Sequence, residues 1–107
     1  MKARASKFKE VAYVYLLRSS TTGRFYLGWT TDLERRLNEH NLGKSQFTRS
    51  RGPWELVDYE IHSNIESAKE RERALKHSPR MLSYFRKRAL ATLRVLAALR
   101  RDRQVVG

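Results

Sequence analysis

Seven consecutive apolar or aromatic positions, Val11 to Leu17 ("VAYVYLL"), open the patterned part of the chain and predict a strand. "SSTTG" is a turn cluster, and "RFYLG" returns as a second strand, so the two predict a hairpin. Leu33 and Leu37, four apart, mark one face of a helix. Thr31 and Glu34 have the spacing of a capping box at its start, with Asp32 in the first turn. That helix is expected to stop near Asn41, with Gly43 beyond its end. "GKSQFTRSRGP" reads as a loop. "WELVDYEI" then alternates, Val57, Tyr59 and Ile61 against Leu56, Asp58 and Glu60, as a half-exposed strand does. Ser63 and Glu66 predict a second capping box and a helix from about Asn64 to His77, its buried stripe marked by Ile65, Ala68 and Leu75. Pro79 starts a third helix that runs to about Arg101, and the first eight and last few residues are expected to be loose. The order strand, strand, helix, strand, helix, helix predicts an α/β (α+β) fold: a small, mainly antiparallel three-stranded sheet flanked by helices. It forms one domain over residues 1–107 with a core at about 11–88.

Composition narrows the function. Lys and Arg number 23 against 11 Asp and Glu, a net charge of +12. The excess is lopsided: residues 1–66 hold 11 basic and 8 acidic side chains, whereas residues 67–107 hold 12 and 3. Such an imbalance favours a polyanionic partner, because each phosphate neutralised releases counterions. Non-specific stickiness is the plain alternative; an anionic membrane is a weaker one, since no strongly amphipathic terminal anchor is evident. The absence of cysteine excludes disulfides, thiolate zinc sites and a thiolate nucleophile. The basic start, "MKARASKFKE", is followed by no apolar signal region, and no apolar run is long enough to span a bilayer. A cytoplasmic location is the expectation.

Several residues have chemistry that their packing roles do not fully explain. Tyr15 lies on the first strand and Tyr26 on its partner; taken alone, both read as ordinary sheet aromatics. Arg36 and His40, also four apart, flank the Leu33–Leu37 stripe and project toward the sheet. Arg36 read plainly is a snorkelling stem, and His40 a cation at a helix C-terminus. Glu72 falls on the apolar stripe of the second helix, four after Ala68 and three before Leu75. Its pairing with Lys76 explains the neighbour but not the placement, because a carboxylate is costly to withdraw from water. A carboxylate positioned to hold a divalent cation explains both.

Together these residues resemble the GIY-YIG nuclease family, in its compact single-domain bacterial form. "YVY" at 13–15 stands where the family has Gly-Ile-Tyr, and "YLG" at 26–28 where it has Tyr-Ile-Gly. "TTDLERRLNEHN" resembles the helix that follows, and "AKERERALKHSPR" the later one. Departures are Tyr13 for the first glycine, Leu27 for isoleucine, and Trp29 where the N-terminal nuclease domain of UvrC carries lysine. His40 occupies a position where other branches have tyrosine.

The resemblance implies a DNA endonuclease, with RNA as the alternative substrate, and no small-molecule cofactor. Glu72 would hold Mg²⁺ or Mn²⁺, and Arg36 would bind the phosphate oxygens. Tyr15 or Tyr26 would move a proton at the attacking water, its phenol made more acidic by nearby cations, with His40 orienting or relaying. Arg49 and Arg51 on the loop, Lys76, and Arg86, Lys87 and Arg88 on the third helix are the candidate phosphate contacts. Each of these also reads as part of a solvated basic face. A non-catalytic nucleic-acid-binding module on the same fold is the rival reading. Trp54 is expected in the core rather than as a stacking platform.

Overall fold

The computed structural model describes residues 10–106. Three strands, β1 (Ala12–Ser19), β2 (Phe25–Thr30) and β3 (Trp54–His62), form one sheet in the order β2-β1-β3. Both neighbours run antiparallel to β1. Helix α1 (Leu33–Asn41) connects β2 to β3, and α2 (Ile65–Lys76) and α3 (Pro79–Val106) follow. This is the predicted order, except that α3 continues past Arg101. The expectation for the first eight residues lies outside the described residues, and so does Gly107. Among the described residues, no helix is long and apolar enough to cross a membrane.

The uninterrupted apolar run of β1 follows from its central place, because alternate side chains enter two different cores. Ala12, Val14 and Leu16 point to one face and pack with Leu27, Val57, Ala68, Leu75, Phe85 and Ala89, under α2 and α3. Tyr15 and Leu17 point to the other, against Trp54 and the α1 residues Leu33 and Leu37. Trp54, only 5% exposed, is a core residue as expected.

Strand β3 departs from simple alternation. Leu17 pairs with Leu56 but Leu16 pairs with Asp58, so Val57 is the extra residue of a β-bulge. Beyond it, Asp58 and Glu60 lie opposite Leu16 and Val14 and so face α2 and α3. Arg71 meets Glu60 with two nitrogens at 3.0 Å each, and Arg88 donates to Asp58 at 2.7 Å. The same slip sends Tyr59 and Ile61 to the face that Tyr15 shares with α1, where both are exposed. Arg88 is therefore tied into an ion-pair network with Asp58 and Glu60.

Both expected helix starts are displaced by one residue. Asp32, not Thr31, caps α1 by accepting from Arg35 N, and Asn64, not Ser63, caps α2 by accepting from Ser67 N. Each cap is the residue with extended backbone, φ −146° for Asp32 and −157° for Asn64, which lets the side chain turn back onto the first free N–H groups. Thr30 accepts from Asp32 N and so supports the cap from outside. Gly43 sits just past α1 at φ 78°, as expected of a helix terminator.

Candidate active site

The site begins with the pairing of Tyr15 against Gly28 on β2. A Cβ at position 28 would lie 2.6 Å from Tyr15 Oη and 2.8 Å from its Cζ, so only glycine leaves room for this ring. Gly28→Ala is therefore expected to push Tyr15 out of place and cost about 1–3 kcal/mol, the usual range for overpacking. Urea unfolding measures the loss, and near-UV circular dichroism reports the displaced tyrosine.

Tyr15 is 2% exposed, and its Oη lies 2.9 Å from His40 Nε2. His40 Nδ1 is 2.7 Å from Thr48 Oγ1, and both His40 and Thr48 are buried. Burial, with the nearby Arg36 cation adding to it and Glu39 opposing, drives the His40 pKa from 6.5 to about 4. His40 is thus a neutral imidazole at physiological pH and not the charged helix-end partner its position suggests. A neutral ring donates from one nitrogen and accepts at the other. The two bonds consequently run in one direction at a time, from Tyr15 toward Thr48 or the reverse. Thr48 carries no sequence signal for this place; it arrives because the loop before β3 folds back, with Trp54 Nε1 donating to Thr48 O at 3.0 Å. Asn41 holds the same loop, accepting from Trp54 N at 2.7 Å and donating to Trp54 O at 3.1 Å.

The buried histidine makes stability depend on pH. Unfolding restores the ordinary pKa of 6.5, so below it the unfolded chain takes up a proton that the folded chain refuses. The contribution is fully present above pH 6.5 and is lost as pH falls toward 4. Between pH 7 and pH 5 the expected loss is about 2 kcal/mol, taking about 1.4 kcal/mol per pKa unit. Carboxylates held low by arginine partners, such as Glu60, act below this window. Urea midpoints at the two pH values measure the loss, and His40→Gln should flatten it.

Arg36 projects from α1 beside Tyr15. Its guanidinium donates to Glu39 at 2.8 Å, which holds it firmly protonated, and its charge also bears on Tyr15 and Tyr26. At Tyr15 burial outweighs that cation: the phenol is pushed up to about 12, not made more acidic. Tyr26 is half-buried, its ring centroid 4.8 Å from that of His40 and 6.4 Å from that of Tyr15. Glu72 comes from α2, close enough for its charge to bear on Tyr15, and Lys76 Nζ lies 3.1 Å from its carboxylate. Tyr15, Tyr26, Arg36, His40 and Glu72 are thereby brought into one neighbourhood from two strands and two helices.

Of these five residues Tyr26 lines a cleft of about 390 Å³, whereas His40 and Arg36 border other pockets. Arg24, Arg51, Lys76 and Arg86 line it together with Tyr26 and Phe47, and no acidic side chain is among its described lining residues. Of the expected phosphate contacts, Arg51, Lys76 and Arg86 are in the cleft. Arg49 packs its stem near Gly43, Lys87 is exposed outside the lining, and Arg88 faces Asp58. Arg24 is an addition; the hairpin brings it there from the residue preceding β2.

Among the described residues, no three histidine or acidic side chains group as a metal cage. Glu72 is a lone carboxylate, 19% exposed, against Lys76, which lines the cleft. That donor set suits a hard ion such as Mg²⁺, which retains most of its water and needs one or two carboxylates; it does not suit a fully protein-bound metal.

The family model described as the GIY-YIG catalytic domain matches residues 11–85. The chain belongs to the GIY-YIG family. Its nuclease-type function follows from that membership. Within the family the chain is similar to a UPF0213 protein of Syntrophus aciditrophicus, 40% identical over 70 residues that cover 64% of this chain and 79% of that one. It is also similar to the UPF0213 protein SAG0778 of Streptococcus agalactiae, 41% identical over 73 residues, covering 67% and 82%. The solution NMR structure of the UPF0213 protein BH0048 from Bacillus halodurans is 38% identical, covers 78% of this chain and 84% of that chain, and superposes with a TM-score of 0.42. The two strand motifs of this GIY-YIG domain, "YVY" and "YLG", are the two segments that supply Tyr15, Tyr26 and Gly28.

Proposed function

We propose that this protein is a divalent-metal-dependent endonuclease that hydrolyses phosphodiester bonds in DNA, selects its substrate by structure, and serves repair or recombination. The observation that carries the reading is that Tyr26 lines a cleft with four cations, while Arg36 and Glu72 come close to Tyr15 and Glu72 lies against the cleft residue Lys76. A bound Mg²⁺ or Mn²⁺, held by Glu72 through its remaining waters, would supply positive charge at the reacting phosphate. Everything else is work for the chain's own side chains.

Arg36 is a planar fork that matches two phosphate oxygens, and it would exchange Glu39 for the substrate as negative charge builds there. Tyr26 is the better placed base. It faces the cleft and can meet an attacking water, whereas Tyr15 is sealed off and its proton is held tightly. Tyr15, His40 and Thr48 form a buried file behind it that would orient the site and absorb small proton shifts by reversing its hydrogen bonds. Arg51, Lys76 and Arg86 would position the strand without reading its sequence.

One observation favours the rival reading, a non-catalytic binding module: Lys76 sits on Glu72 at 3.1 Å and competes with a metal for its charge. A labelled panel of duplex, single-stranded, flap and four-way DNA, with RNA alongside, separates the two. The nuclease yields product with Mg²⁺, none with EDTA, and none from Glu72→Ala. Salt-sensitive binding without a Glu72-dependent product would establish the binding module instead.

A further inference from the structure

Phe47 is a large apolar side chain left 71% exposed, at the rim of the cation-lined cleft that also holds Tyr26. A single exposed apolar residue is ordinary on a protein surface. Two features set this one apart. The first is its company: it shares the cleft with Arg24, Arg51, Lys76 and Arg86, so a phosphate chain drawn in by those cations passes the ring. The second is that its backbone is positioned. The adjacent Thr48 is buried, held through its side chain at His40 and through its carbonyl by Trp54 Nε1. The ring is therefore projected into solvent from a fixed point of the loop, at little entropic cost on binding.

We propose that Phe47 is the stacking platform for an unpaired nucleobase next to the phosphate held in the cleft, which makes the preferred substrate a strand with at least one unstacked base. The proposal rests on the nucleic-acid reading above and adds the substrate class. An aromatic face beside a basic track is how single strands are bound without regard to sequence, because every base has a π-face. In an intact duplex the base faces are already stacked and only the phosphates reach the protein, so the cations engage both forms but Phe47 engages only one. The same contact would place the scissile phosphate at a junction, gap, flap or free single strand.

The test is fluorescence anisotropy in EDTA with wild-type protein and labelled oligonucleotides: oligo(dT), a blunt duplex, and the same duplex with a one-nucleotide gap. Phe47→Ala is expected to bind oligo(dT) and the gapped duplex about tenfold more weakly, with blunt-duplex binding changed less than about twofold. Phe47→Trp should restore the affinity, and its added tryptophan fluorescence should be quenched by oligo(dT) but not by the blunt duplex. Phe47→Leu, which keeps the apolar bulk, should behave as Phe47→Ala. Arg51→Ala should weaken all three substrates alike. An equal loss on duplex and single strand for Phe47→Ala, or full binding by Phe47→Leu, would overturn the stacking role while leaving nucleic-acid binding intact. No binding by the wild type to any of the three would overturn the functional reading itself.

Discussion

Glu72→Gln is expected to lower the rate of DNA cleavage by about a thousandfold at saturating Mg²⁺ while leaving substrate binding in EDTA within about twofold of wild type. The substitution keeps the shape of the side chain and removes its charge. Metal stabilisation of developing charge is worth several kcal/mol, and each 1.4 kcal/mol is a tenfold change in rate. Glutamine cannot anchor a hard cation as a carboxylate does, so the Mg²⁺ concentration needed for half-maximal residual activity should rise as well. Folding should be almost unaffected, since what Glu72 loses is a half-exposed ion pair with Lys76, a kind of contact worth under about 1 kcal/mol. Rapid-quench cleavage across a Mg²⁺ series, beside urea unfolding, separates these effects. A variant that cuts at more than a tenth of the wild-type rate would remove Glu72 from the mechanism.

Tyr26→Phe and Tyr15→Phe are expected to differ in kind. Tyr26 faces the cleft, and deleting its hydroxyl should cost about 10² to 10⁴ in single-turnover rate, the range of general acid–base catalysis. Its half-exposed position makes the change nearly neutral for stability. Tyr15 is the reverse. Removing its hydroxyl leaves His40 Nε2 buried without a partner, which should cost about 1–3 kcal/mol of stability. Its effect on rate should be smaller. Single-turnover rates with unfolding curves for both variants decide the assignment. A larger rate loss in Tyr15→Phe than in Tyr26→Phe would exchange the two roles.

The extent to which the sequence alone conveyed this depended on the range of the interaction. The helix starts were legible to within one residue because Thr31–Asp32 and Ser63–Asn64 each offer two adjacent capping side chains. The choice between them rests with the backbone angle at which the chain leaves the preceding strand. The Tyr15–Gly28 pairing was implicit in the two strand motifs, whereas the reason for the glycine, a ring lying across it, required the register. The bulge at Val57 left a trace in "WELVDYEI", where the adjacent apolar pair Leu56–Val57 breaks the alternation, but which residue is extra and what the slip turns inward required the register. Its consequence is that Asp58 and Glu60 are turned toward Arg88 and Arg71, which pair with them.

By itself, the sequence determined whatever depends on neighbours in the chain: the element order, the two-sided burial of β1, the family motifs, and the residue types available for phosphate chemistry. Only the tertiary structure decided protonation and exposure. Arg36 is a cation near two phenols in either description, but the burial of Tyr15 and His40 raises one pKa to about 12 and lowers the other to about 4. Tyr26, equivalent to Tyr15 in the sequence, faces the cleft because β2 is an edge strand and β1 is not. The same is true of the "FTRSR" loop, whose fold buries Thr48 against His40 and leaves Phe47 in solvent beside the cations. Desolvation is a sum over all surrounding atoms, most of them distant in sequence, and no local pattern of residues encodes that sum.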